Sequence, residues 1–187
     1  MWQLLSLLLK TKEPVRIVDS TMVEVCKIYR ASRHKVAQRI AKFGKNHQGW
    51  HYGFKLHASV DLQGNLCGIS LTPANAFDAH QLIHTLNHHT KVAVGDTTYG
   101  AKVMSRIIWE KYGTVVIAPP HPKQTKKLAA PWQIKLLKLR PKIETVFDML
   151  KEHMHLESSF PRSVMGYLVH YVRILLGYQV MALGSSV

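Results

Sequence analysis

The stretch Tyr52-Gly-Phe-Lys-Leu-His-Ala-Ser-Val-Asp61 alternates strictly, with Tyr52, Phe54, Leu56, Ala58 and Val60 on one face and Lys55, His57 and Ser59 on the other. A period of two marks a strand with one face on a core and the other toward solvent. Gln63-Gly-Asn65 supplies a turn and Leu66 to Leu71 a second apolar run, so the pair predicts a hairpin. Upstream, Val15-Arg-Ile-Val-Asp19 is a short β-branched run ending in an acid, and downstream Lys91-Val-Ala-Val-Gly-Asp96 repeats that design. Between them, Asp78 to His89 carries Ala79, Leu82, Ile83 and Leu86 at helical spacing, with Asp78 placed as the cap. Lys102 to Tyr112 predicts a helix stopped by Gly113, and Thr114 to Ala118 a strand stopped by Pro119 and Pro120. After a Lys-rich connector, Arg140 to Met154 and Met165 to Leu183 read as helices. The order of elements is that of an α/β domain, a mixed sheet covered by helices.

A chain of 187 residues, 47% of them hydrophobic, buries a proper core without staples and is not disordered. Cys26 and Cys67 lie far apart with no CxxC pair, which excludes a disulfide scaffold and a four-cysteine zinc site and leaves them as packing residues. The 25 Lys and Arg against 11 Asp and Glu give a formal charge of +14, the balance of a protein that meets phosphate. The charge falls in two blocks. No acid interrupts Cys26 to Val60, where Lys27, Arg30, Arg33, Lys35, Arg39, Lys42, Lys45 and Lys55 accumulate, with Trp50 and Tyr52 among them. Lys123, Lys126, Lys127, Lys135, Lys138, Arg140 and Lys142 form the second, beside Trp132. Basic side chains interleaved with aromatics suit a nucleic-acid track better than a merely soluble surface.

Neither apolar end of the chain reads as a membrane segment. Met1 to Leu9 is short and has no basic region before it, and Val164 to Leu183 contains His170, Arg173 and Gln179. A buried helix and a cytoplasmic protein are expected.

With so few acids, their placement is informative. Asp19 and Asp96 each end an apolar strand, where a carboxylate is costly unless a cation or strong donors compensate it. Each alone could cap a helix, but neighbouring strand ends lie about 5 Å apart and would bring the two together. In the helix that follows, Ile143, Val146, Phe147, Leu150 and Met154 make the apolar stripe, and Arg140, Glu144 and Lys151 fall on one line along its border. That row reads either as solvated i,i+4 pairing or as a line facing the end of a sheet. Three carboxylates gathered there would suit Mg²⁺, which takes oxygen ligands and leaves positions for phosphate, and an ion pair could clamp an in-line phosphoryl displacement.

Taken together, Ile-Val-Asp19-Ser, Trp50-His-Tyr-Gly-Phe-Lys55-Leu-His57, Leu71-Thr-Pro-Ala-Asn75 followed by Asp78, and Val94-Gly-Asp96 with Tyr99-Gly100 resemble the catalytic domain of bacterial insertion-sequence transposases of the Asp-Asp-Glu (DDE) type. Arg140-Pro-Lys-Ile-Glu144 with Lys151 is similar to the Arg-x3-Glu-x6-Lys signature of that family, and the resemblance runs from about Val15 to Ala182. It implies a ribonuclease-H-like mixed β-sheet flanked by α-helices. It also implies Asp19, Asp96 and Glu144 as catalytic ligands of Mg²⁺ or Mn²⁺, and Arg140 and Lys151 as contacts to DNA phosphate. Lys142, Lys55 and His57 are further candidate DNA contacts, the last two from the face of their strand expected to be exposed. In such enzymes water and then a freed 3′ hydroxyl attack phosphodiesters, cutting transposon ends and joining them to target DNA. The expected partner is DNA, the expected assembly a homodimer, and the expected location the cytoplasm at the nucleoid.

Two departures qualify the resemblance. The signature begins with a Tyr three residues before its Arg, and here that position is Leu137. Only 18 residues precede Asp19, where the family carries a helical DNA-binding domain; residues 1–14 are therefore expected to be the remnant of an upstream helix, residues 15–187 the catalytic domain, and the chain a truncated copy. Two other readings remain: a ribonuclease-H-like nuclease without strand transfer, which the Arg-x3-Glu-x6-Lys helix disfavours, and a basic nucleic-acid-binding relic without catalysis. The relic predicts that Asp19, Asp96 and Glu144 do not converge. His80, His84 and His88 at i,i+4,i+8 could offer zinc ligands, but with no Cys or acid nearby they read as a solvated helix face. Tyr99 and Gly100 shape the loop beside Asp96.

Overall fold

The computed structural model describes residues 1–9, 11–121, 130–157 and 161–184. Its sheet is organised around β1 (Val15–Glu24), which pairs antiparallel with β3 (Gly49–Val60) on one side and parallel with β5 (Val92–Val94) on the other. β6 (Val115–Ile117) extends the parallel half beside β5. The far edge of β3 is shared. β2 (Lys42–Asn46) pairs with its Gly49–Gly53 stretch, and β4 (Leu66–Pro73) with Phe54–Val60. An antiparallel hairpin, a central strand and two parallel strands make the expected ribonuclease-H-like mixed sheet of the α/β class.

Alternation along β1 divides the core. Ile17 joins Phe54, Leu56, Ala58 and Val60 on one face, under α5 (Pro141–Asp148) and α6 (Val164–Gly184). Val18 joins Ala93 on the other, under Leu82 of the single-turn α2 (Leu82–Thr85) and Ile108 of α3 (Lys102–Tyr112). Gly113 ends α3 with φ of 67°, a left-handed position that favours glycine. The helix α1 (Trp2–Leu8) packs against α6, and α4 (Pro131–Leu137) precedes α5. No described helix is long and apolar enough to cross a membrane. The polar residues of α6 have structural partners: Gln179 accepts from Leu66 N at 2.8 Å, and Tyr178 donates to Gly64 O at 2.8 Å, clamping the helix over the β3–β4 turn.

Four sequence expectations are corrected. First, β1 runs on to Glu24, so Asp19 lies within the strand and not at its end. Second, the helix expected over Asp78–His89 is a 3₁₀ turn, Asp78–Gln81, followed by α2. Asn87 ends it locally, its side chain accepting from His89 N at 3.0 Å and its carbonyl from Thr90 N at 3.0 Å. His80, His84, His88 and His89 are all exposed, and only His84 falls in α2, so they share no continuous helix. Third, the helix expected over Arg140–Met154 changes character at Met149–His153, a π turn closed by Met154 N to Met149 O at 3.0 Å.

Fourth, the face of β3 expected to meet solvent is covered. Lys55 is 9% exposed, His57 1% and Ser59 0%. The 3₁₀ turn and α2 lie over them, and Ser59 Oγ donates to Thr85 O at 2.6 Å. Gly68 of β4 permits that approach, because a Cβ there would stand 2.2 Å from Thr85 O. Within the second basic block, Lys123, Lys126 and Lys127 lie outside the described residues.

Candidate active site

The parallel register pairs Ile17 with Val94, and two residues further along each chain stand Asp19 and Asp96. Adjacent strands are about 4.8 Å apart, so acids that far apart in sequence become neighbours at the point where β5 ends and β1 continues. Asp96 caps the 3₁₀ turn Thr97–Gly100, accepting from Thr98 N at 2.9 Å and from Thr98 Oγ1 at 2.5 Å. Asp19 Oδ1 accepts from Ser20 N at 2.8 Å. Burial pushes the Asp19 carboxyl up to about 6; the Ser20 amide and Arg140 oppose the rise, and the charges of Asp96 and Asp78 add to it.

Asp19 and Asp96 open into a cavity of about 790 Å³ whose walls include Lys55, Asp78, Arg140, Glu144 and Lys151. The apolar residues Ile143, Val146 and Phe147 seat α5 on the sheet, which turns the Arg140–Glu144 edge toward the acids. Arg140 Nη2 stands 3.7 Å from Glu144 Oε1, and the Glu144 side chain is 56% exposed. Lys151, displaced onto the π turn, is held by Glu157 at 3.1 Å, and the same Glu157 oxygen accepts from Glu24 N at 3.0 Å. Lys142 is exposed on α5 and lies outside the cavity wall. The tip of the β2–β3 hairpin, His47 and Gln48, closes another side.

Asp78 is the residue the sequence reading misplaced. Its carboxylate caps no helix; Oδ1 accepts from Ser20 Oγ at 2.8 Å and from Lys55 Nζ at 3.0 Å, and stands 3.5 Å from His57 Nδ1. Lys55 is thereby committed, donating also to Ala76 O at 3.1 Å. His57 bonds Thr72 Oγ1 at 2.8 Å, and burial holds its imidazole down to about 4, with Asp78 opposing and Lys55 adding to the effect. The expectation that Lys55 and His57 stand on an open strand face is corrected: both are buried beneath the 3₁₀ turn. Tyr99, expected only to shape its loop, is buried beside Asp19, Asp78 and Asp96, and burial raises its hydroxyl well above the ordinary range. A lysine inside an alternating strand and an acid after a Pro-Ala-Asn turn were the available signals for the Lys55–Asp78 pair.

The donor chemistry at Asp19 and Asp96 fits a hard divalent cation: two carboxylates face one cavity, and burial together with mutual repulsion penalises the charge of the first. Among the described residues no three His, Cys, Asp or Glu side chains are grouped to hold an ion. Glu144 is turned to Arg140.

No solved structure matches the chain significantly. A family model described as "Transposase DDE domain" matches residues 10–164, a span that includes β1 to β6, the cavity acids and the whole of α5. The chain belongs to the DDE transposase domain family.

Proposed function

We propose that this protein is a DNA transposase that cleaves phosphodiesters and joins strands with Mg²⁺ or Mn²⁺, using Asp19, Asp96 and Glu144. The observation that carries the reading is the register of β1 and β5, which sets Asp19 beside Asp96 at the mouth of a cavity walled by Arg140, Glu144 and Lys151. Asp19 and Asp96 would hold the ion, and Glu144 would complete the set on parting from Arg140. When bound, the ion supplies Lewis-acid stabilisation of the phosphoryl oxygens and lowers the pKa of attacking water.

The remaining steps belong to this chain. Arg140 pairs with a phosphate oxygen, a better-matched partner for its planar fork than the single distant contact it makes to Glu144. Lys151, steadied by Glu157, adds a second cation on the same wall. Lys142 meets the DNA backbone outside the cavity. The catalytic unit is residues 15–187, to which α1 is joined through α6. A chain of this chemistry acts on transposon ends and target DNA in the cytoplasm.

The test is metal-dependent nicking of supercoiled plasmid. The wild-type chain is expected to nick with Mg²⁺ or Mn²⁺ and not with EDTA, and Glu144→Gln to lose at least 100-fold in rate while binding DNA as before. Nicking by Glu144→Gln at the wild-type rate would remove Glu144 from the mechanism. DNA binding without nicking by the wild type would favour the non-catalytic reading.

A further inference from the structure

Beneath the acids lies a polar chain with no part in the reading above. Ser20 is its joint: its backbone N–H donates to Asp19 Oδ1 at 2.8 Å, and its hydroxyl donates to Asp78 Oδ1, also at 2.8 Å. Lys55 holds Asp78 from the other side at 3.0 Å, and is itself fixed by Ala76 O at 3.1 Å, two residues before Asp78. The Lys55 and Asp78 side chains are only 11% and 21% exposed. Alternation in β1 sends the side chains of Asp19 and Ser20 to opposite faces of the sheet, and cross-strand pairing sets Ser20 opposite His57. Thus the turn covering one face of the sheet is tied, through one residue, to the carboxylate on the other.

We infer that Asp78 is a positioning residue for Asp19, acting through Ser20, and that Lys55 serves to hold Asp78. The inference rests on the reading of Asp19 as an ion-holding acid. The amide and the hydroxyl of Ser20 are both engaged, the hydroxyl also by buried Tyr99, which steadies the amide aimed at Asp19. The carboxylate that burial and two neighbouring acids penalise thus keeps Oδ1 engaged at the wall of the cavity. Lys55 is needed because an unpaired Asp78 would be a third negative charge against Asp19 and Asp96; with the ammonium beside it, Asp78 can grip Ser20 without expelling Asp19. A plain structural ion pair would have no reason to run through the residue next to a site carboxylate.

The test uses the full chain with Ser20→Ala, Ser20→Thr and Asp78→Asn, read in two ways. One is the Mn²⁺ concentration at the midpoint of the metal-dependent rise in unfolding temperature. The other is the division of the nicking defect between kcat and KM for DNA, scaled to the folded fraction. Ser20→Ala and Asp78→Asn are expected to raise the Mn²⁺ midpoint and lower kcat by about 10- to 100-fold, the range for outer-shell partners, with KM unmoved. Ser20→Thr, which keeps the hydroxyl and suits a strand, is expected to restore both. A wild-type Mn²⁺ midpoint in Ser20→Ala overturns the inference, as does a defect in Asp78→Asn that disappears on scaling to folded protein. If the wild type itself shows no Mn²⁺ midpoint, the proposed function falls first and this inference with it.

Discussion

At pH 7.5 Asp19 is ionised although burial favours its neutral form, so its charge lowers the stability of the folded chain. The folded carboxyl titrates at about 6 and the unfolded one at 3.8; the penalty is therefore full above pH 6 and gone below about pH 4. Asp19→Asn keeps an acceptor for Ser20 N and removes the charge. In EDTA it is expected to raise unfolding free energy at pH 7.5 by up to about 3 kcal/mol, the worth of a two-unit shift. Urea denaturation at pH 7.5 and at pH 4 checks this, with the gain present at the first and absent at the second. A destabilised Asp19→Asn at pH 7.5 would show that the carboxylate is compensated within the protein. The meeting of Asp19 and Asp96 was legible in the sequence because acids are scarce and both end apolar runs. The pairing of Asp78 with Lys55 was not, since nothing local in an alternating strand tells whether its polar face will be roofed by a later turn.

Elements were legible where periodicity and breakers agreed, as in the β3–β4 hairpin and in α3 with its Gly113 stop. They failed where tertiary contacts set the geometry. α2 is a single turn because it needs only to cover Ser59 and Gly68, and β2 escaped notice because Lys42–Asn46 has no apolar alternation and exists through its pairing with β3. The contact at Gly68 offers a test at this scale. Gly68→Ala would drive a Cβ against Thr85 O, lift α2 and loosen the turn that carries Asp78. The expected cost is about 2–3 kcal/mol in urea denaturation, together with a raised Mn²⁺ midpoint. Unchanged stability would mean that α2 is not seated by backbone contact.

Over the whole molecule, a formal charge of +14 accompanies a cavity that gathers several of the few acids. Cations that neutralise phosphate release counterions, so log K for DNA should fall linearly with log salt. Arg140→Ala and Lys142→Ala are each expected to lower the slope by about 1, measured by fluorescence anisotropy on a duplex across a salt series. A slope unchanged in both variants would move the DNA track away from α5.

The pairing of β1 with β5 carries one more consequence, in the order of events on the ribosome. The basic segment from Cys26 to Val60 and the hairpin it enters are made of near neighbours in the chain, whereas Asp19 meets Asp96 only after a parallel contact closes the long loop from Ile17 to Val94. Non-local pairings of that kind form late. A growing chain thus closes its basic hairpin before its two aspartates are side by side, and half-made protein lacks both the paired acids and the basic edge of α5 that faces them.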